Sequence, residues 1–153
     1  MIILDTNVLS AVISDRPDDK VVRWLEDQPI FDVGVTAITI YELKFGISTA
    51  PDGWKRKNLE VLYKEIVGDI FQRNRLELDE RAAGIAARLA ADRKRGGHVV
   101  GLADILIAGI TIANYGHLAT RNVKDFQDLD INLIDPWNPS PTDPWAFLGD
   151  DED

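Results

Sequence analysis

The chain has 153 residues, a formal net charge of −9 at pH 7, 45% hydrophobic residues and no cysteine. That length suits one domain with a substantial core, and the lack of cysteine excludes disulfides and thiolate metal ligands. No apolar run approaches the ~18 residues of a membrane span, and Met1-Ile2-Ile3-Leu4-Asp5 has neither the basic nor the long apolar region of a signal peptide, so a cytoplasmic protein is expected.

Ile2-Ile3-Leu4 reads as a short buried strand, and Asp5-Thr6-Asn7 then opens a helix to about Ile13. Val21, Val22 and Leu25 mark a second helix over residues 18–27. Phe31 to Val35 alternates into a strand, and Thr36 stands where it can cap the next helix, which holds Glu42 and runs to about Thr49. Pro51-Asp52-Gly53 is a turn. Leu59, Leu62, Tyr63, Ile66, Val67 and Ile70 keep helical spacing, which predicts one helix from Trp54 to Arg73. Arg75 to Leu78 reads as a short strand, and Glu80 to Arg95 as an alanine-rich helix ended by Gly96-Gly97. Leu102 to Asn114 is apolar nearly all round, as a buried helix would be. His117 to Thr120 and Ile131 to Ile134 are the last strands, and the residues around Asn122 and Asp125 read as a polar loop with an Asx turn.

Strands alternating with helices predict an α/β fold: an α/β/α sandwich with a mainly parallel sheet of four to five strands. Ligands in such folds bind at the carboxyl ends of the strands. The domain is expected over residues 1–137. Residues 138–153, rich in proline and acid, read as a separate tail in which Trp145 and Phe147 are candidate docking residues.

Five acids and no Lys or Arg lie in residues 136–153, which leaves −4 for residues 1–135. An acidic chain binds phosphates poorly unless it has local cations or metal. Two basic triplets, Lys55-Arg56-Lys57 and Arg93-Lys94-Arg95, read as solvated helix faces, and Arg121 with Lys124 forms a third pair, a candidate nucleic-acid contact.

Three isolated carboxylates then stand out: Asp5 after Ile2-Ile3-Leu4, Glu42 within Ile40-Tyr41-Glu42-Leu43, and Asp104 within Leu102-Ala103-Asp104-Ile105-Leu106. An ionised carboxylate in apolar surroundings is costly unless compensated, and a bound cation compensates it well. Asp5 and Asp104 taken singly also read as acids at helix starts. Glu42 lies past the first turn; it shares helical spacing with Ile38, Phe45 and Gly46, so it is expected toward the core. Its plain alternative is a buried salt bridge with Arg121. Two histidines, His98 and His117, leave little for a zinc site and favour oxygen ligands and Mg2+ or Mn2+. Thr6 and Thr120 carry hydroxyls able to orient a metal-bound carboxylate.

Ile3-Leu4-Asp5-Thr6-Asn7-Val8-Leu9-Ser10, Ala37-Ile38-Thr39-Ile40-Tyr41-Glu42-Leu43-Lys44-Phe45-Gly46, Ala103-Asp104-Ile105-Leu106-Ile107-Ala108 and Ala119-Thr120-Arg121-Asn122 resemble, in order, the motifs of the PIN domain, and in detail the VapC and FitB toxins of type II toxin–antitoxin systems. The resemblance runs from about Met1 to Trp137 and includes Asp135-Pro136-Trp137. It implies a Mg2+- or Mn2+-dependent ribonuclease, homodimeric, and restrained by a small DNA-binding antitoxin. Asp5, Glu42 and Asp104 match the family's acidic positions. Asn7 falls within the first motif and would support the site with Thr6 and Thr120. The fourth acidic position falls on Asn122, with Asp125 three residues on as a substitute, which puts a second metal ion in question. The alternative is a metal-binding interaction module of the same fold with weakened catalysis.

Overall fold

In the computed structural model, which describes residues 1–99 and 101–139, Ile2–Leu4 (β1) forms the middle strand of a five-stranded sheet. Val33–Thr36 (β2) and then Arg75–Leu76 (β3) lie on one side of it; His117–Ala119 (β4) and then Asn132–Ile134 (β5) lie on the other. Every neighbouring pair is parallel, as the alternating elements predict. The chain builds outward from β1 to β3, crosses back, and builds outward again from β4 to β5. The order therefore reverses between β1 and β4, which is where such a sheet opens a crevice at its carboxyl edge. Leu4 pairs with Val35 on one side and Ala119 on the other, so Asp5, Thr36 and Thr120 leave the sheet at one level.

The helices are Thr6–Val12 (α1), Asp19–Glu26 (α2), Ala37–Thr49 (α3), Trp54–Tyr63 (α4), Glu80–Arg95 (α5), Leu102–Ala113 (α6) and Val123–Phe126 (α7). The two faces of β1 feed two cores. Ile2 and Leu4 pack with Val8, Leu9, Val21 and Phe71, whereas Ile3 packs with Ile105, Ile107, Ala108, Leu118 and Phe126. Each fully buried aliphatic or aromatic side chain contributes ~1.5–3 kcal/mol of transfer free energy, so these cores fix the sheet and the crevice above it.

Three sequence expectations change. Phe31 to Val35 does not alternate: Ile30–Asp32 is a 3-10 turn with Phe31 exposed, and all of β2 is buried. An inner parallel strand is covered on both faces, so period two is lost. The helix expected over Trp54 to Arg73 is regular only to Tyr63. It then widens into a π-helical stretch, Lys64–Ile70, closed by the Phe71 N–H on Ile66 O at 3.1 Å. The wider turns seat both Val67 and Phe71 in the core. Finally, the polar loop around Asn122 and Asp125 contains α7, because Phe126 is fully buried and anchors it. The tail from residue 140 onward, with Trp145 and Phe147, lies outside the described residues.

Candidate active site

Asp5 caps α1 and is also the most enclosed acid of the crevice, 3% exposed. Its Oδ1 accepts from the Thr6 N–H at 2.8 Å; its Oδ2 accepts from Thr120 Oγ1 at 2.7 Å and Asn7 Nδ2 at 3.3 Å. Burial pushes its carboxyl above the usual range, the Thr120 and Thr6 bonds oppose that, and the charges of Asp104 and Glu42 add to it. The capping reading and the buried-acid reading are therefore both true of this residue. Asn7 ties the ends of β1 and β4 together, since its Oδ1 accepts from the Arg121 N–H at 3.2 Å. Thr120, fully buried, also accepts from the Asn122 N–H at 3.0 Å.

Glu42 departs from expectation in its surroundings. The buried face of α3 is Thr39 and Leu43, while Phe45 and Gly46 face solvent, so Glu42 sits at the border of the helix rather than on its core side. Helical spacing identifies which residues share a face, not which face a neighbour covers. Its Oε1 accepts from Thr6 Oγ1 at 2.6 Å, a charge-assisted bond. Thr6 Oγ1 also lies 3.2 Å from Thr39 Oγ1, and Thr39 is bonded to Thr36, the N-cap of α3. The salt bridge with Arg121 is absent among the described residues; the guanidinium lies instead over the Trp137 ring, 4.9 Å from its centroid. Thr39 and Thr36 were missed as site residues, although Thr36-x-x-Thr39 is legible as a capping pattern.

Asp104 stands in the first turn of α6, where the N-cap is Gly101 and no side chain caps. A Cβ on Gly101 would come 3.5 Å from Asp104 Oδ2, so the carboxylate folds back over that glycine. Burial raises its carboxyl, Asp125 and Glu42 raise it further, and Arg93 opposes. Asp125 is thus electrostatically joined to the crevice from α7, whereas Asn122 is exposed at the start of that helix. A cavity of about 440 Å³ opens here, lined by Asp104, Asp125, Lys124, His98 and Arg93.

Arg93 is not part of a solvated basic face. It is 8% exposed and grips Asp128 through Nε at 2.9 Å and Nη2 at 2.8 Å, with Nη2 also on the Asp125 carbonyl. This fork fixes the segment that carries Asp125. The other triplet is engaged as well: Lys55 pairs with Asp15, and Arg56 with Asp52 and Glu60.

Asp5 feels the charges of Asp104 and Glu42, and Asp104 feels that of Glu42, so the three acids border one crevice. Among the described residues, however, no three acidic or histidine side chains are drawn closely enough together to form a ready cage. The donors still suit a hard divalent cation, being carboxylate, amide and hydroxyl oxygens without sulfur. The raised carboxyls of Asp5 and Asp104 are the electrostatic load that such a cation relieves.

A family model described as the PIN domain matches residues 2–132. The chain is 34% identical to the VapC ribonuclease Y4jK of Sinorhizobium fredii, over 92% of this chain and 100% of that protein. It is 32% identical to Toxin FitB of Neisseria gonorrhoeae, over 90% of this chain and 99% of that protein. A solved structure of FitAB bound to an IR36 DNA fragment superposes with a TM-score of 0.83 at 32% identity, covering 92% of this chain and 98% of that one. No helix among the described residues is long and apolar enough to cross a membrane.

Proposed function

The chain belongs to the PIN-domain family, and from that premise we propose that it is a divalent-metal-dependent endoribonuclease, the toxin of a type II toxin–antitoxin pair. The observation that supports this reading is that the charges of Asp104 and Glu42 act on the buried Asp5 at the carboxyl edge of the sheet, where the strand order reverses. Asp5, Asp104 and Glu42 would hold Mg2+ or Mn2+, with Asp125, or the Asn122 carbonyl, at the fourth corner. Such an ion supplies a Lewis acid for a phosphoryl oxygen and a water of lowered pKa.

The remaining work belongs to the chain's own groups. Thr120 and Asn7 fix the rotation of the Asp5 carboxylate, and Thr6 with Thr39 fixes Glu42. These bonds leave the acids oriented before substrate arrives, which reduces the reorganisation that the transition state demands. Arg93, by holding Asp128 and the Asp125 carbonyl, keeps α7 beside Asp104.

The partner in this reading is a small antitoxin with DNA-binding ability, supported by the likeness to FitAB bound to DNA. The working form is a cytoplasmic homodimer. Purified chain, free of antitoxin, is expected to cleave single-stranded RNA with Mn2+ or Mg2+ and to lose that activity in EDTA. A second reading has one specific observation in its favour: Asn122, without charge, stands at the fourth acidic position of the family pattern. If the wild-type chain binds Mn2+ but leaves RNA intact across several substrates, it is an interaction module with weakened catalysis.

A further inference from the structure

One exposed cation stands beside the acid crevice on a built support. Arg121 directly follows Thr120, and its N–H is held by Asn7 Oδ1, the same Asn7 whose amide nitrogen reaches Asp5. Its guanidinium lies over the face of Trp137. That ring is itself fixed: Trp137 Nε1 donates to Asp18 Oδ2 at 2.9 Å, its backbone N–H donates to Asp135 Oδ1 at 2.9 Å, and it packs against the β1–α1–α2 core. Asp18 caps α2 with its other oxygen, which accepts from the Lys20 and Val21 N–H groups. Segments 119 residues apart thus meet to brace one arginine.

The brace has a chemical consequence. A free arginine side chain has many rotamers to lose on meeting a ligand, whereas one laid on a fixed indole has few. Stacking uses one face of the guanidinium and leaves its N–H edge for two oxygens of an oxyanion such as a phosphate. Arg121 is exposed and forms no salt bridge among the described residues; the acid that feels its charge is Asp18, on the far side of the Trp137 brace, whose own oxygens are taken up by Trp137 and the start of α2. Lys124, the other cation of the rim, is exposed on α7 without such a support.

We propose that Arg121 contacts an RNA backbone phosphate flanking the cleaved bond, and that Trp137 and Asp18 are positioning residues that hold it there. The inference rests on the ribonuclease reading and adds to it the residues that place the strand. In an acidic chain, such a contact gives the polyanion a foothold beside the acids.

The test uses the full chain, Mn2+ and a labelled single-stranded RNA, with kcat and KM measured between about 50 and 200 mM KCl. Arg121→Gln is expected to raise KM about tenfold, more than it lowers kcat, and to make the logarithmic salt dependence of kcat/KM shallower by about 0.7, the value of one phosphate contact on a single strand. Arg121→Lys restores the salt slope but not the full KM, since lysine keeps the charge and not the stacked fork. Trp137→Phe keeps a ring under the guanidinium and loses the Nε1–H bond to Asp18 without changing any charge; it is expected to raise KM about threefold with the slope unchanged. Wild-type cleavage with an Arg121→Gln variant of unchanged KM and slope overturns the phosphate contact alone. Wild-type KM in Trp137→Phe overturns the brace. Absence of RNA cleavage by the wild type overturns both this inference and the ribonuclease reading.

Discussion

Gly109→Ala probes how α6, the helix that presents Asp104, is seated. A Cβ at Gly109 would come 2.6 Å from the Ala82 carbonyl oxygen, 2.8 Å from Ala86 Cβ and 3.0 Å from Ala86 N. Two of those atoms are backbone, so no rotamer change in α5 relieves the clash; the helices must part by about 1 Å. Overpacking of this kind costs ~1–3 kcal/mol, and here the upper half of that range applies because the obstacle is backbone. Alanine returns about 1 kcal/mol through helix propensity. The net expectation is a loss of ~1–2 kcal/mol, or a Tm lower by about 3–6 °C for a chain of this size. Asp104 lies five residues away on the same helix, about 7.5 Å along its axis, so the displacement reaches the crevice. Cleavage measured well below Tm should therefore fall as well. Gly84→Ala is the matched control, because a Cβ there meets nothing within 4 Å, and it should stabilise the same α5 by up to about 1 kcal/mol. Urea and thermal unfolding by circular dichroism read both variants. An unchanged or raised Tm for Gly109→Ala would refute the close α5–α6 seating.

Thr120→Val removes the 2.7 Å donor from the buried Asp5 carboxylate and should cost ~1–3 kcal/mol in urea unfolding at pH 7, together with most of the cleavage activity; unaltered stability would mean that this bond does not hold Asp5. The pH dependence follows from the raised carboxyls of Asp5 and Asp104. A folded pKa above the unfolded value near 3.8 contributes stability that is fully present below that value and is lost as pH rises through the folded pKa. In metal-free buffer the wild type should therefore lose stability relative to Asp5→Asn/Asp104→Asn as pH rises from about 4 toward neutrality. Parallel curves for the two proteins across that range would contradict it.

Much of the fold was legible because its signals are local. Thr36 announces α3, Gly96-Gly97 ends α5, and the apolar sweep from Leu102 marks α6 as buried. Asp5 and Asp104 were legible as charges out of place. What escaped depends on partners distant in sequence. Arg93 looked like one of three surface cations until Asp128, 35 residues on, turned it into a buried fork. Arg121 looked like a partner for Glu42 until Trp137 took its guanidinium and Thr6 took the Glu42 oxygen. The π-helical stretch after Tyr63 keeps helical periodicity in its apolar residues, so spacing alone does not separate it from α4.

We propose that Asp5, Glu42 and Asp104 form a divalent-cation site that cleaves RNA. Its most direct test is cleavage of a labelled single-stranded RNA by purified wild type, Asp5→Asn and Asp104→Asn, each with Mn2+ and with EDTA, alongside circular dichroism to verify folding. The wild type is expected to cleave with Mn2+ and not in EDTA, and the folded variants to be at least a hundredfold slower, a loss of about 3 kcal/mol in transition-state stabilisation. Wild-type rates in either variant, or wild-type cleavage that persists in EDTA, would contradict it.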